Sequence, residues 1–219
     1  MSAPILFFLA GIPASLLVAN LIGRLTEAGS AEAPSWKVLP WQAGRSAAVL
    51  RVGIAAVVPP LMTGAAARFD PGAALAVSVL LIALVVCAAT DLLRYRVPNA
   101  VTYPGIALSL LAAFTMPGGD LLGSLLGAVL SAAIFTLVWA VTRGGMGMAD
   151  VKLAILIGAA FGLPNAYLAL AFGVALGGAV MLTLLIAGAV QRRQITPYAP
   201  FLSVGAIAVL FLQGTAFTP

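Results

Sequence analysis

About eight apolar runs fill this chain, and most approach the roughly 20 residues that an α-helix needs to cross a bilayer. They lie near 4–23, 46–67, 72–91, 99–116, 121–141, 151–163, 165–190 and 200–216. The connections between them are mostly too short to fold by themselves. With 63% of residues hydrophobic and 8% charged, there is too little polar surface to coat a soluble domain. Backbone groups in hydrocarbon must find partners within the chain, and uninterrupted apolar runs of this length do so only as helices. The expected fold is therefore all-α, a polytopic transmembrane helical bundle of about eight spans. It is read as one membrane-embedded domain over 1–219, with a divergent part, 1–70, that includes the connection 25–44, and a core, 72–216. The run from Ile5 to Ile22 has no basic residue ahead of it and no clear small-residue cleavage site before Arg24, so a retained first span is expected.

The apolar stretch from Val151 to Val190 is too long for one span, and Gly162-Leu163-Pro164-Asn165 supplies the turn that divides it. Its first half then has a reach of only about 20 Å, at 1.5 Å per residue, against a hydrocarbon core of about 30 Å. One end of that helix is expected to stop inside the protein or beside a water-filled cavity. With eight spans, Arg24, Lys37, Arg45, Arg94, Arg96, Arg143, Arg192 and Arg193 fall on one face, and Arg51 and Lys152 can snorkel there. Only Arg68 falls on the other. The positive-inside rule makes the crowded face cytoplasmic. These basic residues are scattered between apolar runs and form no patch with interleaved aromatics, so a nucleic-acid partner is not expected. The partner implied by composition is membrane lipid.

The chain has six acidic residues and no histidine. Glu27 and Glu32 belong to the connection 25–44 and read as solvated. Asp70 before Pro71 and Asp120 after Gly118-Gly119 read as helix N-caps on the outer face. Asp91 and Asp150 remain, at the ends of apolar runs on the cytoplasmic boundary, separated by an even number of spans. Asp91 ends its run, where the helix macrodipole disfavours negative charge. Its structural explanation is an ion pair with Arg94 or Arg96. Asp150 begins a run and can be an N-cap, but the small-residue approach Arg143-Gly144-Gly145-Met146-Gly147-Met148-Ala149 would also let a substrate backbone come close.

An acid at the edge of hydrocarbon is expensive to keep, and a pair on one face suggests chemistry. Two carboxylates a few Å apart do not both ionise cheaply, so they hold one shared proton. One then acts as base toward a water while the other polarises a carbonyl. Such hydrolysis needs no cofactor, no metal and no nucleophilic side chain. The lack of histidine removes the Ser-His and Cys-His systems and most zinc sites. Cys87, the single cysteine, lies within an apolar run and reads as a small buried hydrophobe. Lys152 points to a different helical face from Asp150; it either snorkels or acts on the site by tuning the carboxylate or touching substrate. Gly177-Gly178 read as a close helix contact, Met146 and Met148 as gap filling, and Trp36, Trp41 and Trp139 as interfacial anchors or packing.

Two stretches resemble a known family. Asp91-Leu92-Leu93-Arg94-Tyr95-Arg96-Val97-Pro98-Asn99-Ala100-Val101-Thr102 resembles the first signature of the type IV prepilin peptidases, an aspartate followed by basic residues, Pro-Asn and a threonine. Gly145-Met146-Gly147-Met148-Ala149-Asp150-Val151-Lys152-Leu153 resembles the second, the G-x-G-D stretch leading into a lysine and an apolar helix. Gly158 to Gly162 continue the similarity, and Thr196-Pro197-Tyr198-Ala199-Pro200-Phe201 resembles the family's proline-containing entry to the last span. Coverage is about residues 75 to 210.

The resemblance implies an intramembrane aspartic endopeptidase, integral to the cytoplasmic membrane of a prokaryote with its site facing the cytoplasm. It would cut the leader from pilin-like precursors that carry a basic leader and an apolar helix. Asp91 and Asp150 are the implied catalytic pair. Gly147, Ala149, Lys152, Pro98 and Asn99 are the implied supporting or substrate-contacting residues. Ala149 departs from the glycine usual before the second aspartate, which would restrict positive φ there. The connection 25–44 has no cysteine, unlike the loop of many bacterial members, so neither zinc nor N-methyltransferase activity is expected. Two other readings of the same acids stay open: an ion-coupled membrane transporter, and a non-catalytic pilus or secretion assembly protein that kept the fold.

Overall fold

The computed structural model describes residues 2–28, 46–142, 146–189 and 197–218. Among them lie eight helices and no strand: α1 (Ala3–Ala28), α2 (Ser46–Arg68), α3 (Pro71–Arg94), α4 (Asn99–Thr115), α5 (Leu121–Val141), α6 (Met148–Phe161), α7 (Asn165–Ile186) and α8 (Ala199–Gln213). The apolar runs thus became helices, with ends that move by a few residues. Four helices are long and apolar enough to cross a membrane: Ala3–Ile22 of α1, then α3, α5 and α7. The apolar helices α4 and α8 are shorter. α2 carries Pro59 and Pro60 in mid-helix, and α6 has only 14 residues.

Several expected boundaries shift. α1 continues to Ala28, so Glu27 belongs to a helix and not to the connection. Glu32, Lys37, Arg45, Trp36, Trp41, Arg143 to Gly145, Arg192, Arg193 and Thr196 lie outside the described residues.

The helices alternate in direction, which sorts their ends into two groups. At one end, the Asp120 N–H donates to the Ala216 carbonyl, the Leu163 N–H to Gly123, and the Ala216 N–H to Ala160. Arg68 reaches the Leu212 carbonyl there as well. Asp120 caps α5 by accepting the Gly123 N–H at 2.8 Å, as its position before the run suggests. Asp70 is the N-cap residue of α3 with proline following, but its side chain makes no cap bond. The C terminus of α3 and the N termini of α4, α6 and α8 lie at the opposite end.

α3 is the centre of the bundle. One buried cluster packs Leu81, Leu84 and Cys87 of α3 with Ala112 of α4, Leu153 and Ile157 of α6, Leu170 of α7, and Leu202 and Leu210 of α8. A second joins its other side to α1 and α2 through Val18, Ile22, Ile54, Val58 and Val86. α6 is enclosed as completely: every residue from Leu156 to Phe161 is buried. Lipid is as apolar as these side chains, so close packing and polar contacts hold such a bundle together more than hydrophobic transfer does. The α5–α6 crossing illustrates this. Gly127 and Gly158 meet backbone to backbone, so that a Cβ on either would collide with the other's carbonyl. Beside them the Ser124 hydroxyl donates to the Ala159 carbonyl. At the end of α6, Gly162 adopts φ 59°, which an L side chain rarely tolerates, and the chain turns into α7.

Candidate active site

Asp91 occupies the last full turn of α3. The helix stops four residues later, where Tyr95 takes a left-handed conformation and returns its N–H to the Asp91 carbonyl at 2.8 Å. Arg96, Val97 and Pro98 then bring the chain into α4, with Pro98 as N-cap and Asn99 as first residue. Asp91 is 4% exposed. Arg94 and Arg96 are exposed, and neither pairs with it, so the ion-pair explanation of this acid fails. Its Oδ2 instead accepts the backbone N–H of Ala199, the first residue of α8, at 3.0 Å. The Tyr198 N–H is directed at the same carboxylate. Thus the unfavourable C-terminal dipole of α3 is offset by the favourable N terminus of α8. Thr90, just before it, turns its hydroxyl back onto the Val86 carbonyl.

Asp150 lies in the first turn of α6, and the N-cap is Gly147, not Asp150 itself. The run begins earlier than its apolar residues suggest because Met148 and Ala149 already have helical backbone. Asp150 is therefore the third helical residue, from which a carboxylate can reach back toward the N-cap amide. The Gly147 N–H is directed at it. Asp150 is 6% exposed. Its Oδ1 is buried and has no hydrogen-bond partner among the described residues. A buried carboxylate oxygen without a donor is costly, which makes Oδ1 the atom here with unmet bonding capacity.

Asp150 lies within electrostatic reach of the Asp91 carboxylate. They come from helices separated in sequence by α4 and α5, and they converge because all four helices alternate in direction.

The supporting residues divide into groups. Lys152 donates from Nζ to Asn99 Oδ1 at 2.8 Å and stands 5.9 Å from the centroid of the Tyr103 ring. This joins two of the residues singled out in sequence and ties α6 to the start of α4. Pro98 accepts the Val101 and Thr102 N–H groups with its carbonyl and shapes the first turn of α4. Gly147 has φ −74° and ψ 143°, an extended conformation open to any residue. Ala149 is helical, so no positive φ is needed there, and the expected conformational restriction does not arise.

Tyr198 and Ala199 were not singled out as site residues. Their signal was present in the stretch Thr196 to Phe201, but a backbone N–H leaves no trace in residue type. Tyr198 lies within electrostatic reach of Asp150, and its hydroxyl donates to the Val174 carbonyl of α7 at 2.9 Å. Ser203, one turn into α8, donates to the Leu84 carbonyl of α3.

A model of the type IV leader peptidase family matches residues 78–183, from within α3 to near the end of α7, including both aspartates. Over this segment the chain is similar to the type IV leader peptidase family. It is 28% identical over 155 residues to the prepilin leader peptidase/N-methyltransferase of Bacillus subtilis (strain 168). That alignment covers 70% of this chain and 62% of the relative, so the chain spans less than two thirds of the relative's length. No solved structure matches. The apolar helices, four of them long enough to cross a membrane, together with this similarity support an integral membrane protein.

Proposed function

We propose that this protein is an aspartic endopeptidase that removes the leader of pilin-like precursors at the cytoplasmic face of a prokaryotic cell membrane. One observation carries the reading: α3 and α6 present two buried aspartates within electrostatic reach at one end of an apolar bundle, inside the segment that the family model matches. In the proposed reaction the pair holds one proton. The ionised carboxylate takes a proton from a water as its oxygen bonds to the scissile carbonyl carbon. The protonated one hydrogen-bonds to the carbonyl oxygen, where charge develops. Collapse of the tetrahedral intermediate breaks the C–N bond, and a proton passes from the pair to the leaving amine. Asp91 is steadied by the N terminus of α8, while Asp150 Oδ1 is unengaged and can meet water or substrate.

Orientation is supported by charge. Arg94, Arg96 and Lys152 lie at the end that holds the aspartates, and Arg68 lies at the other. A pilin-like precursor has an apolar helix that would stay in the membrane while its basic leader reaches this end. Cleavage alone is assigned to the chain, whose residues 25–44 include no cysteine.

The test is incubation of purified protein with a pilin-like precursor, followed by mass spectrometry of the new N terminus. Asp91→Asn and Asp150→Asn are each expected to lower cleavage by at least about 10²–10⁴-fold, the range for losing a general acid or base. Both should remain inserted and folded. Normal processing by either variant refutes the proposal, and a methylated product refutes the assignment of cleavage alone.

A further inference from the structure

We infer that Tyr198 is a positioning residue, locking α8 against α7 so that the N terminus of α8 is held on Asp91. This rests on the proposed peptidase reading and adds to it a part of the machinery outside both aspartate signatures.

Ala199 N–H reaches Asp91 Oδ2 at 3.0 Å, and the residue before it is Tyr198. A helix can slide along its neighbour by a fraction of an ångström unless something fixes its register. Three contacts with α7 do so. The Tyr198 hydroxyl donates to the Val174 carbonyl at 2.9 Å, linking the entry of α8 to α7 across 24 residues of sequence. The Tyr198 ring lies over Gly177, where a Cβ would meet Cζ at 2.8 Å and Cε2 at 2.9 Å. Further along, Gly173 and Gly205 bring the two backbones together, and a Cβ on Gly173 would stand 2.7 Å from the Leu202 Cα. The last contact sets the distance between the helices, whereas the first two set where α8 begins. The neighbouring Gly178 meets nothing within 4 Å.

The consequence for the chemistry is specific. Tyr198 does not have to touch substrate. It holds the amide that engages one carboxylate of the pair, so its loss should slow the chemical step and leave binding of the apolar precursor unchanged. A side chain that only stabilised the bundle would lower the unfolding midpoint without dividing kcat from KM.

The experiment measures kcat and KM for precursor cleavage by the full-length protein in lipid nanodiscs, with thermal unfolding alongside. Tyr198→Phe keeps the ring over Gly177 and removes the hydroxyl; kcat should fall about 3- to 10-fold with KM within twofold of wild type. Gly177→Ala displaces the ring and should lower kcat by more than tenfold. Gly178→Ala should match wild type in both constants. Wild-type kcat for Tyr198→Phe overturns the inference, as does equal loss in Gly177→Ala and Gly178→Ala. Should Gly177→Ala fail to fold, Tyr198→Phe still decides. The two proposals fail separately: activity in Asp91→Asn overturns the peptidase reading, while inactive aspartate variants beside a fully active Tyr198→Phe overturn this one.

Discussion

At the scale of single residues, Ala149 shows how position changes the meaning of a substitution. A glycine before an aspartate suggests a loop that needs free φ, and alanine there looks like a defect. In the fold Ala149 is the second residue of α6 and half-buried against the core, a place where alanine is the better helix former. Ala149→Gly is therefore expected to cost up to about 1 kcal/mol of stability, seen as a lower unfolding midpoint. Precursor cleavage should stay within twofold, and a large gain in activity would show that alanine does impair the site. The acids themselves were legible because charge is costly at a membrane edge and only six are present. Asp91's partner was not legible: it is a backbone amide 108 residues away, contributed by an alanine. The N-cap explanation of Asp150 fails because the helix begins two residues before it, with Gly147 as the cap.

Among the elements, α5 and α6 pack backbone to backbone, and α6 carries one of the two aspartates. Their crossing depends on having no side chain at Gly127 and Gly158. A Cβ on Gly158 would lie 2.6 Å from the Ser131 Oγ as well as against the Gly127 backbone. Gly158→Ala should thus destabilise the protein by about 1–3 kcal/mol, the usual cost of overpacking. It should also reduce cleavage, because the shift is transmitted along one rigid helix to Asp150. Gly72→Ala, at a glycine with open space around it, is the control and should change neither. If Gly158→Ala unfolds at the wild-type midpoint, the crossing is looser than described. Helix number and order were readable from apolar runs, since hydrocarbon permits little else. The crossing was not, because glycines in an apolar run look alike until the neighbouring helix is known. Gly177 is covered by Tyr198 and Gly178 is open, although they are adjacent.

For the whole molecule, α3 divides the labour. One side belongs to a buried cluster with residues of α1 and α2, the other to a cluster with residues of α4, α6, α7 and α8. The segment that the family model matches begins within α3, at residue 78, and runs on through α4, α6 and α7, the helices of the cluster beside the candidate site. A chain ended after residue 197 would keep both aspartates but lack α8. It is expected to insert in the membrane, to show increased cleavage by added trypsin, and to leave precursor unprocessed by gel assay. Processing by that truncated chain would mean that α8 is dispensable to the aspartate pair.

The bond between Asp91 and Ala199 also has a place in time. Ribosomes add about 5–20 residues per second, so the 108 residues between these partners take roughly 5–20 s to appear. Throughout that interval α3 exists without the amide that its aspartate will accept. The nascent protein can occupy the membrane well before the site is assembled, and the helix translated last among those described completes it.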